Sequence, residues 1–386
     1  LEQNENPGRK ICVTGNGRCN LTNKNMQPEI FRGEHPEIVQ SVLKQFSMED
    51  TLEFFGQIGV AFVDRNGWVY PRSNQAKCIP ELMVQKAHSL KVKIKTREKV
   101  KDIYKENGRW KVRTEGWIYE CDRVILANGS SASQVPGSDG SGYKIALDMG
   151  CSVKRPLPAL VQLESSCRLC KNIAGVRQDA AIRLESDSGV TAKARGEIQF
   201  TDYGCSGIPV FQVSRHAVRA LSEGREVTAC IDLLPDMTTE HINAFIRASA
   251  AHNSQSTLLD VIAGMLNMKL AKAMLDSLGI KYRFLACNCN ERDINVISHL
   301  IKEFRMQLTG YKSFENAQIC IGGVSLEDVN GLTLESKLAH GIYFCGEILD
   351  VDGICGGYNL QWAWSSGHLA GIMAAQDQLR TERRNQ

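Results

Sequence analysis

The chain has 386 residues, 43% of them hydrophobic and 23% charged, with a formal net charge of +3. That length leaves room for two or three domains, and the composition excludes a collagen, a coiled coil or a disordered chain. The mild positive balance does not demand nucleic acid, no apolar run approaches the roughly 18 residues that span a bilayer, and no signal peptide is visible.

In chain order, the opening stretch "LEQNENPGRKICVTGNGRCNLTN" reads as the close of a strand at Leu1-Glu2, then a loop. Gly8, Gly15 and Gly17 there, with Arg9, Lys10 and Arg18, gather backbone amides and cations in one place. Residues 36–90 read as helices with short connections. In "HPEIVQSVLKQF", Ile38, Val39, Val42, Leu43 and Phe46 share one helical face, with Pro36 near the start. Residues 92–129 change to a period of two, with a hairpin signal at Asn107-Gly108 and a buried strand from Val124 to Ala127.

Residues 151–235 stay β-rich, with "GEIQFTDYGCSGIPVFQVSR" as their most distinctive stretch. From Thr238 to about His299 the apolar residues return at helical spacing, with Thr238 or Thr239 as an N-cap and Gly279 as a stop. Beyond Phe314 the texture is β again. A strand, Ile342 to Cys345, then leads through Gly346, Glu347, Asp350, Asp352, Gly353, Gly356 and Gly357 into a helix opening at Tyr358-Asn359-Leu360-Gln361.

Strand–glycine–helix segments therefore bracket the chain, which predicts one domain interrupted by insertions. Residues 1–150 with 315–386 form it, 151–236 with 300–314 form a β-rich insertion, and 237–299 form a helical subdomain. Glycines just before a helix expose amides at the positive end of its dipole, suited to an anion. In dinucleotide folds, an acidic residue closing the second strand bonds the ribose hydroxyls. Glu2 occupies such a place, and the strand ending at Ala127-Asn128-Gly129 reads as a third element touching a cofactor.

Fourteen cysteines are scattered along the chain. Cys12, Cys121, Cys230, Cys320 and Cys345 lie in apolar runs, where a free thiol acts as a small hydrophobe. Cys167/Cys170 and Cys287/Cys289 could together supply four metal ligands, or a redox disulfide. Their wide separation favours reduced thiols of a cytoplasmic protein, with no metal. His216 and His368 have no triad or metal-ligand spacing.

These residues carry a resemblance to the BaiN/RdsA-like family of bacterial flavoproteins. Its motifs match here at Leu1-Glu2, Gly8-Arg9-Lys10, Thr14 to Asn23, Phe200 to Gly207, Gly322-Gly323-Val324 and Gly346 to Gly367. The match spans nearly the whole chain. It implies an α/β fold, with a Rossmann-like FAD-binding domain (three-layer ββα) interrupted by a β-barrel-like insertion and a small helical subdomain. The family's Ala-Thr-Gly stands here as Ala127-Asn128-Gly129, and its GxGxxG turn is missing. A first strand, that turn and a helix, roughly 30 residues, are expected ahead of Leu1, and proper FAD binding is expected to need them.

The resemblance also implies the site. FAD contacts fall at Glu2, Gly8, Arg9, Lys10, Thr14, Gly15, Gly17, Arg18, Cys19, Asn20, Val100, Ala127, Asn128 and Gly129. Further contacts fall at Gly346, Glu347, Asp352, Gly356, Gly357, Tyr358, Asn359 and Leu360. Cys19 reads as a packing residue. Arg9, Lys10 and Arg18 would hold the pyrophosphate or stabilise charge on the reduced flavin. Thr201, Asp202, Tyr203 and Ser206 would line a substrate cavity, with Tyr203 or Tyr358 protonating a substrate carbon.

The implied activity is an FAD-dependent oxidoreductase. NADH or NADPH reduces the flavin, which passes hydride from N5 to an electron-poor C=C acceptor such as a steroid- or bile-acid-like enone. The alternative is an rRNA-acting flavoprotein that converts uridine to dihydrouridine, or a flavin-carrying RNA- or ribosome-binding protein. For that alternative, Lys91, Lys93, Lys95, Arg97, Lys99 and Lys101 would line one strand edge. Oligomeric state is left open.

Overall fold

The structure is a computed structural model, and it describes residues 1–133, 137–187 and 189–384. The chain forms two compact units, Leu1–Pro158 with Phe314–Gln386, and Ala159–Ser313.

In the first unit the helix Pro36–Gln45 buries Val39, Val42 and Leu43, the face its spacing predicts. Pro36 opens it, where a missing N–H costs nothing. A second helix, Met48–Gln57, starts at a capping box: Ser47 Oγ accepts from the Asp50 amide at 3.2 Å and Asp50 Oδ2 from the Ser47 amide at 2.8 Å. The all-helical reading of 36–90 needs correction, because Phe62–Arg65 and Trp68–Pro71 form an antiparallel hairpin. Asn66 (φ 55°) and Gly67 (φ 89°) make its turn, a pair that tolerates the left-handed backbone such turns require.

Asn107-Gly108 turns a second hairpin, Asp102–Glu106 against Arg109–Arg113, as the sequence predicts. The run 91–101 is not a ladder strand. It carries no strand assignment and turns left-handed at Lys91 (φ 60°) and Arg97 (φ 59°), with Lys95 O accepting from the Glu2 amide at 2.8 Å, while the Arg97 and Glu98 amides donate to Asn4 O and Glu2 O at 2.9 Å each. Leu1-Glu2 therefore lies against residues 95–98 without an assigned strand of its own. Val124–Leu126 and Ile342–Phe344 pair in parallel. The second of these is buried throughout, but in the first only Leu126 is buried and Ile125 is 40% exposed. The terminal helix Tyr358–Arg384 adds Trp362, Leu369 and Ala370 to the core around this pair.

The second unit is a closed antiparallel barrel with attached helices. Its strands run in the order Leu163–Ser165, Gly204–Ser206, Gly189–Thr201, Arg177–Ser186, Val227–Asp232 and Phe304–Tyr311. The β-rich reading of 151–235 missed a helix, Ile208–Ser222, which buries Val210, Val213, Ala217 and Val218. Helices Thr239–His252, Leu258–Ala263, Met268–Ser277 and Glu291–Lys302 follow. Thr238 Oγ1 caps the first, accepting from the His241 amide at 3.2 Å, and Gly279 (φ 69°) follows the third. Barrel and helices share one apolar core. No helix among the described residues is long and apolar enough to cross a membrane.

Candidate cofactor site

The N-terminal segment folds on itself before it reaches the glycines. Glu2 Oε1 accepts from both the backbone and side-chain nitrogens of Asn4 at 2.8 Å, and Arg9 Nη1 donates to Asn4 Oδ1 at 2.9 Å. Gly8, at φ 77°, opens the short helix Arg9–Val13. Lys10 Nζ then donates to the Glu347 carboxylate, and Ser130 Oγ donates to the same carboxylate at 3.3 Å. Lys10 also reaches Ala132 O at 3.4 Å.

One partly buried carboxylate thus ties three expected elements together: the opening segment, the loop after Val124–Leu126 that carries Ala127, Asn128 and Gly129, and the terminal motif. Asn128 packs on the helix Ser141–Asp148, so that a Cβ on Gly142 would come within 2.9 Å of its own Cβ.

Thr14 to Cys19 form a tight left-handed turn, with φ of 55° at Gly15, 54° at Asn16, 76° at Gly17 and 56° at Cys19. Backbone bonds close it, Cys19 N to Thr14 O at 3.1 Å and Arg18 N to Gly15 O at 3.2 Å, and Thr14 Oγ1 donates to Ile11 O at 2.7 Å. Cys19 is fully buried, and burial pushes its thiol up to about 12, so it is an inert packing group. The Arg18 guanidinium lies 5.7 Å from the centre of the Tyr70 ring and that of Arg65 lies 5.4 Å from it, a doubled cation–π contact.

The terminal loop is held differently. With its amide oriented to match its partners, Asn20 donates to Val69 O and Thr22 O and accepts from the Gly357 amide at 3.2 Å. Asn23 Nδ2 donates to Gly356 O at 2.8 Å. Gly357 has φ 89°, and a Cβ there would lie 2.7 Å from the carbonyl carbon and oxygen of Thr22. Asn359 Oδ1 takes the Gly353 amide at 2.7 Å, and Ser366 Oγ takes that of Gly346 at 2.9 Å. Behind them Gln361 is fully buried: its oxygen accepts from Thr22 Oγ1 at 2.6 Å. Its nitrogen donates to Thr51 Oγ1 (2.8 Å), Ser365 Oγ (2.9 Å) and Ser47 O (3.2 Å).

Several loop amides read as cofactor donors therefore already have acceptors in the protein. Gly17, Gly129 and Gly346 remain uncrowded: an added Cβ would find its nearest atom at 4.0, 3.5 and 3.8 Å. With cations at Arg9, Lys10 and Arg18 and carboxylates at Glu2 and Glu347, these residues fit a phosphate-bearing ligand with neighbouring hydroxyls.

Other expected residues serve the packing. Tyr358 is buried, donates its hydroxyl to Asn25 O at 3.4 Å and meets Phe31 edge-on, and burial raises its phenol. Asp352 is buried, Leu360 packs beside Cys19 and Leu21, and Val100 packs on the core around Trp110. Tyr203 belongs to the barrel unit, in the turn after Gly189–Thr201, with Lys312 Nζ 3.9 Å above its ring and paired to Glu164 at 2.7 Å.

The basic run is largely matched. Lys95 lies 5.0 Å over Tyr119, and Arg97, Lys99 and Lys101 pair with Glu5, Asp139 and Glu115 at 2.5, 2.6 and 2.6 Å. The sequence assigns no role to Gln361, Thr22 or Ser130. Gln361 stood inside the terminal motif, so the signal was present without a role.

A family model described as HI0933-like protein Rossmann domain matches residues 1–373. The chain is 42% identical over 376 residues to the 3-dehydro-bile acid delta(4,6)-reductase of Clostridium scindens, covering 97% of this chain and 92% of that protein. It is 28% identical over 369 residues to the ribosomal RNA dihydrouridine synthase of Escherichia coli, covering 95% of this chain and 89% of that one. The corresponding synthase of Haemophilus influenzae is 26% identical over 372 residues, with the same two shares of 95% and 89%.

Proposed function

The chain belongs to the HI0933-like Rossmann family and is an oxidoreductase, and from that premise we propose that it reduces an electron-poor carbon–carbon double bond in a small enone, steroid- or bile-acid-like, using FAD and NADH or NADPH. The observation that carries this reading is the 42% identity, over 97% of the chain, to a named delta(4,6)-reductase. FAD, when bound, supplies the hydride chemistry.

The chain's residues have the remaining tasks. Arg18, at the mouth of the left-handed turn, places a cation beside uncrowded Gly17 and suits the pyrophosphate or a developing negative charge. Lys10 and Ser130 fix Glu347 so that strand end, opening segment and terminal motif stay in register. Glu2 suits the ribose hydroxyls. Of the two expected proton donors, Tyr358 is the weaker, because its hydroxyl is buried and already engaged. A cytoplasmic location completes the proposal, since fourteen free cysteines suit a reducing compartment.

The test is anaerobic reduction of the purified yellow protein by NADH and by NADPH, then reoxidation by a 3-oxo-Δ4 steroid or by unmodified ribosomal RNA. Fast reoxidation by the enone supports the reading. Reoxidation by the RNA alone transfers the chain to the dihydrouridine chemistry named for its more distant relatives, and a product of the whole reading frame, upstream codons included, that takes up no added flavin overturns the cofactor.

A further inference from the structure

Cys167-Arg168-Leu169-Cys170 lies in the barrel unit, between the strand Leu163–Ser165 and the short helical turn Cys170–Ile173. The Cys170 amide donates to Cys167 O at 3.1 Å, closing a four-residue turn. Such a turn holds its first and last Cα within about 7 Å, the reach a disulfide needs. The two thiols interact, and the interaction lowers Cys167 and raises Cys170. They differ in access: Cys170 is 1% exposed within the barrel core, and Cys167 is half-buried. Ser165 Oγ fixes the start of the turn, accepting from the Cys167 amide at 3.1 Å while it donates to Gln307 O at 2.6 Å.

We propose that Cys167 and Cys170 form a redox-active dithiol, in which Cys167 attacks a low-molecular-weight disulfide and Cys170 resolves the adduct into an intramolecular disulfide. The Cys167 thiolate forms a bond to one sulfur of the oxidant and expels the other half as a thiolate. That thiolate takes the Cys170 proton. The Cys170 sulfur then attacks Cys167 and releases the second half. Two protein thiols lose two electrons, and one disulfide becomes two thiols.

The surroundings support this division of labour. The Cys170 thiol and the amides of Leu169 and Cys170 all stabilise a Cys167 anion and lower that thiol, while the same pairing and burial push Cys170 up. Burial drives the other way at Cys205, Cys345 and Cys355, all raised to about 12. A buried sulfur that stays protonated until its neighbour is oxidised is the resolving partner such a pair requires.

The inference is independent of the proposed reductase activity, and its test reads sulfur chemistry alone. Full-length protein is titrated with glutathione disulfide and mapped by non-reducing peptide mass spectrometry. The expected product is a Cys167–Cys170 bond with loss of two hydrogens. Cys170→Ser should instead accumulate glutathione on Cys167, and Cys167→Ser should give neither product.

Wild-type protein supplies a second readout that needs no variant to fold. At about pH 6.5, iodoacetamide should label Cys167 on the order of ten-fold faster than exposed Cys287. Equal labelling rates, or glutathione on Cys287 with Cys167 untouched, would overturn the proposal. Zinc that co-purifies with the wild type and is lost in Cys167→Ser would overturn it equally.

Discussion

Two glycine-bearing loops of the first unit look alike in sequence and are built on opposite plans. The turn Thr14–Cys19 is closed by its own backbone, and beside Gly17 the nearest atom to an added Cβ is 4.0 Å away. The loop Gly346–Gly357 is closed by side chains from elsewhere, Asn20, Asn23, Asn359 and Ser366, and beside Gly357 the Thr22 carbonyl stands at 2.7 Å. Glycine lets backbone approach something in both places. At Gly17 that neighbour is open space, and at Gly357 it is the protein itself. A glycine-rich loop therefore reports close approach without saying to what, and the acceptors of its amides decide.

The largest effect is expected where the approach is to backbone. Gly357→Val combines a left-handed φ with overlap that no side-chain rotation relieves, and should cost about 2–5 kcal/mol. Its denaturation midpoint should fall sharply whether or not flavin is added. Gly17→Ala meets only the backbone penalty, about 1–2 kcal/mol. It should stay folded, and any loss of flavin should exceed its loss of stability. If Gly17→Ala unfolds the chain while Gly357→Val leaves the midpoint in place, the contrast between the loops is wrong.

Gln361 sharpens the same contrast. It joins Thr22 to Thr51, Ser365 and Ser47 in a space closed to water. Gln361→Leu has the volume to fill that space but removes the acceptor of Thr22 Oγ1 and a donor to Thr51 Oγ1, which keeps its own bond to Ser47 O at 3.0 Å. A loss of about 2–4 kcal/mol follows from stranding buried polar groups in a network. Hydrogen exchange should quicken at the amides of Gly356 and Gly357, while the Thr14–Cys19 turn keeps its protection. Equal quickening in both loops would mean that they open as one element.

Much of this frame was legible. The strand, glycine loop and helix opening at Tyr358 stand where residues 342–358 place them, and so do the helices that follow Thr238, because long periodic segments announce themselves. The hairpin at Asn66-Gly67 was overlooked although its turn pair was present, since strands of four residues carry too little alternation. The helix Ile208–Ser222 is hidden within the β-rich reading of 151–235, since Val210, Phe211, Val213 and Val218 are strand-prone residues and burial on a barrel overrides that preference. At the site, the sequence pattern offers candidate residues and not their partners. Nothing in the spacing of Asn20 says that its amide closes on Gly357, 337 positions away by number (357 − 20), because such a bond exists only once the chain has folded.

The smallest effect concerns pH, and it too separates the two loops. His368, one turn beyond the Gln361 network on the terminal helix, stacks on Phe46 with ring centres 4.1 Å apart and planes 20° from parallel. Burial lowers its pKa below the ordinary 6.5, and the Asp50 carboxylate opposes that only in part. The folded chain therefore binds fewer protons than the unfolded chain between the two values, and stability rises with pH through that window. Stability is undiminished above the unfolded value, falls as pH drops through 6.5, and levels off below the folded value, where both states are protonated. In the Thr14–Cys19 turn, Cys19 stays protonated up to about 12, so acid in this range leaves that loop alone. His368→Phe keeps a ring against Phe46 and removes the titration. Unfolding free energies at about pH 7.5 and about pH 5.5 should differ less in that variant than in the wild type, the other histidines cancelling in the comparison. An unchanged difference would place the acid sensitivity elsewhere and leave the terminal helix indifferent to pH.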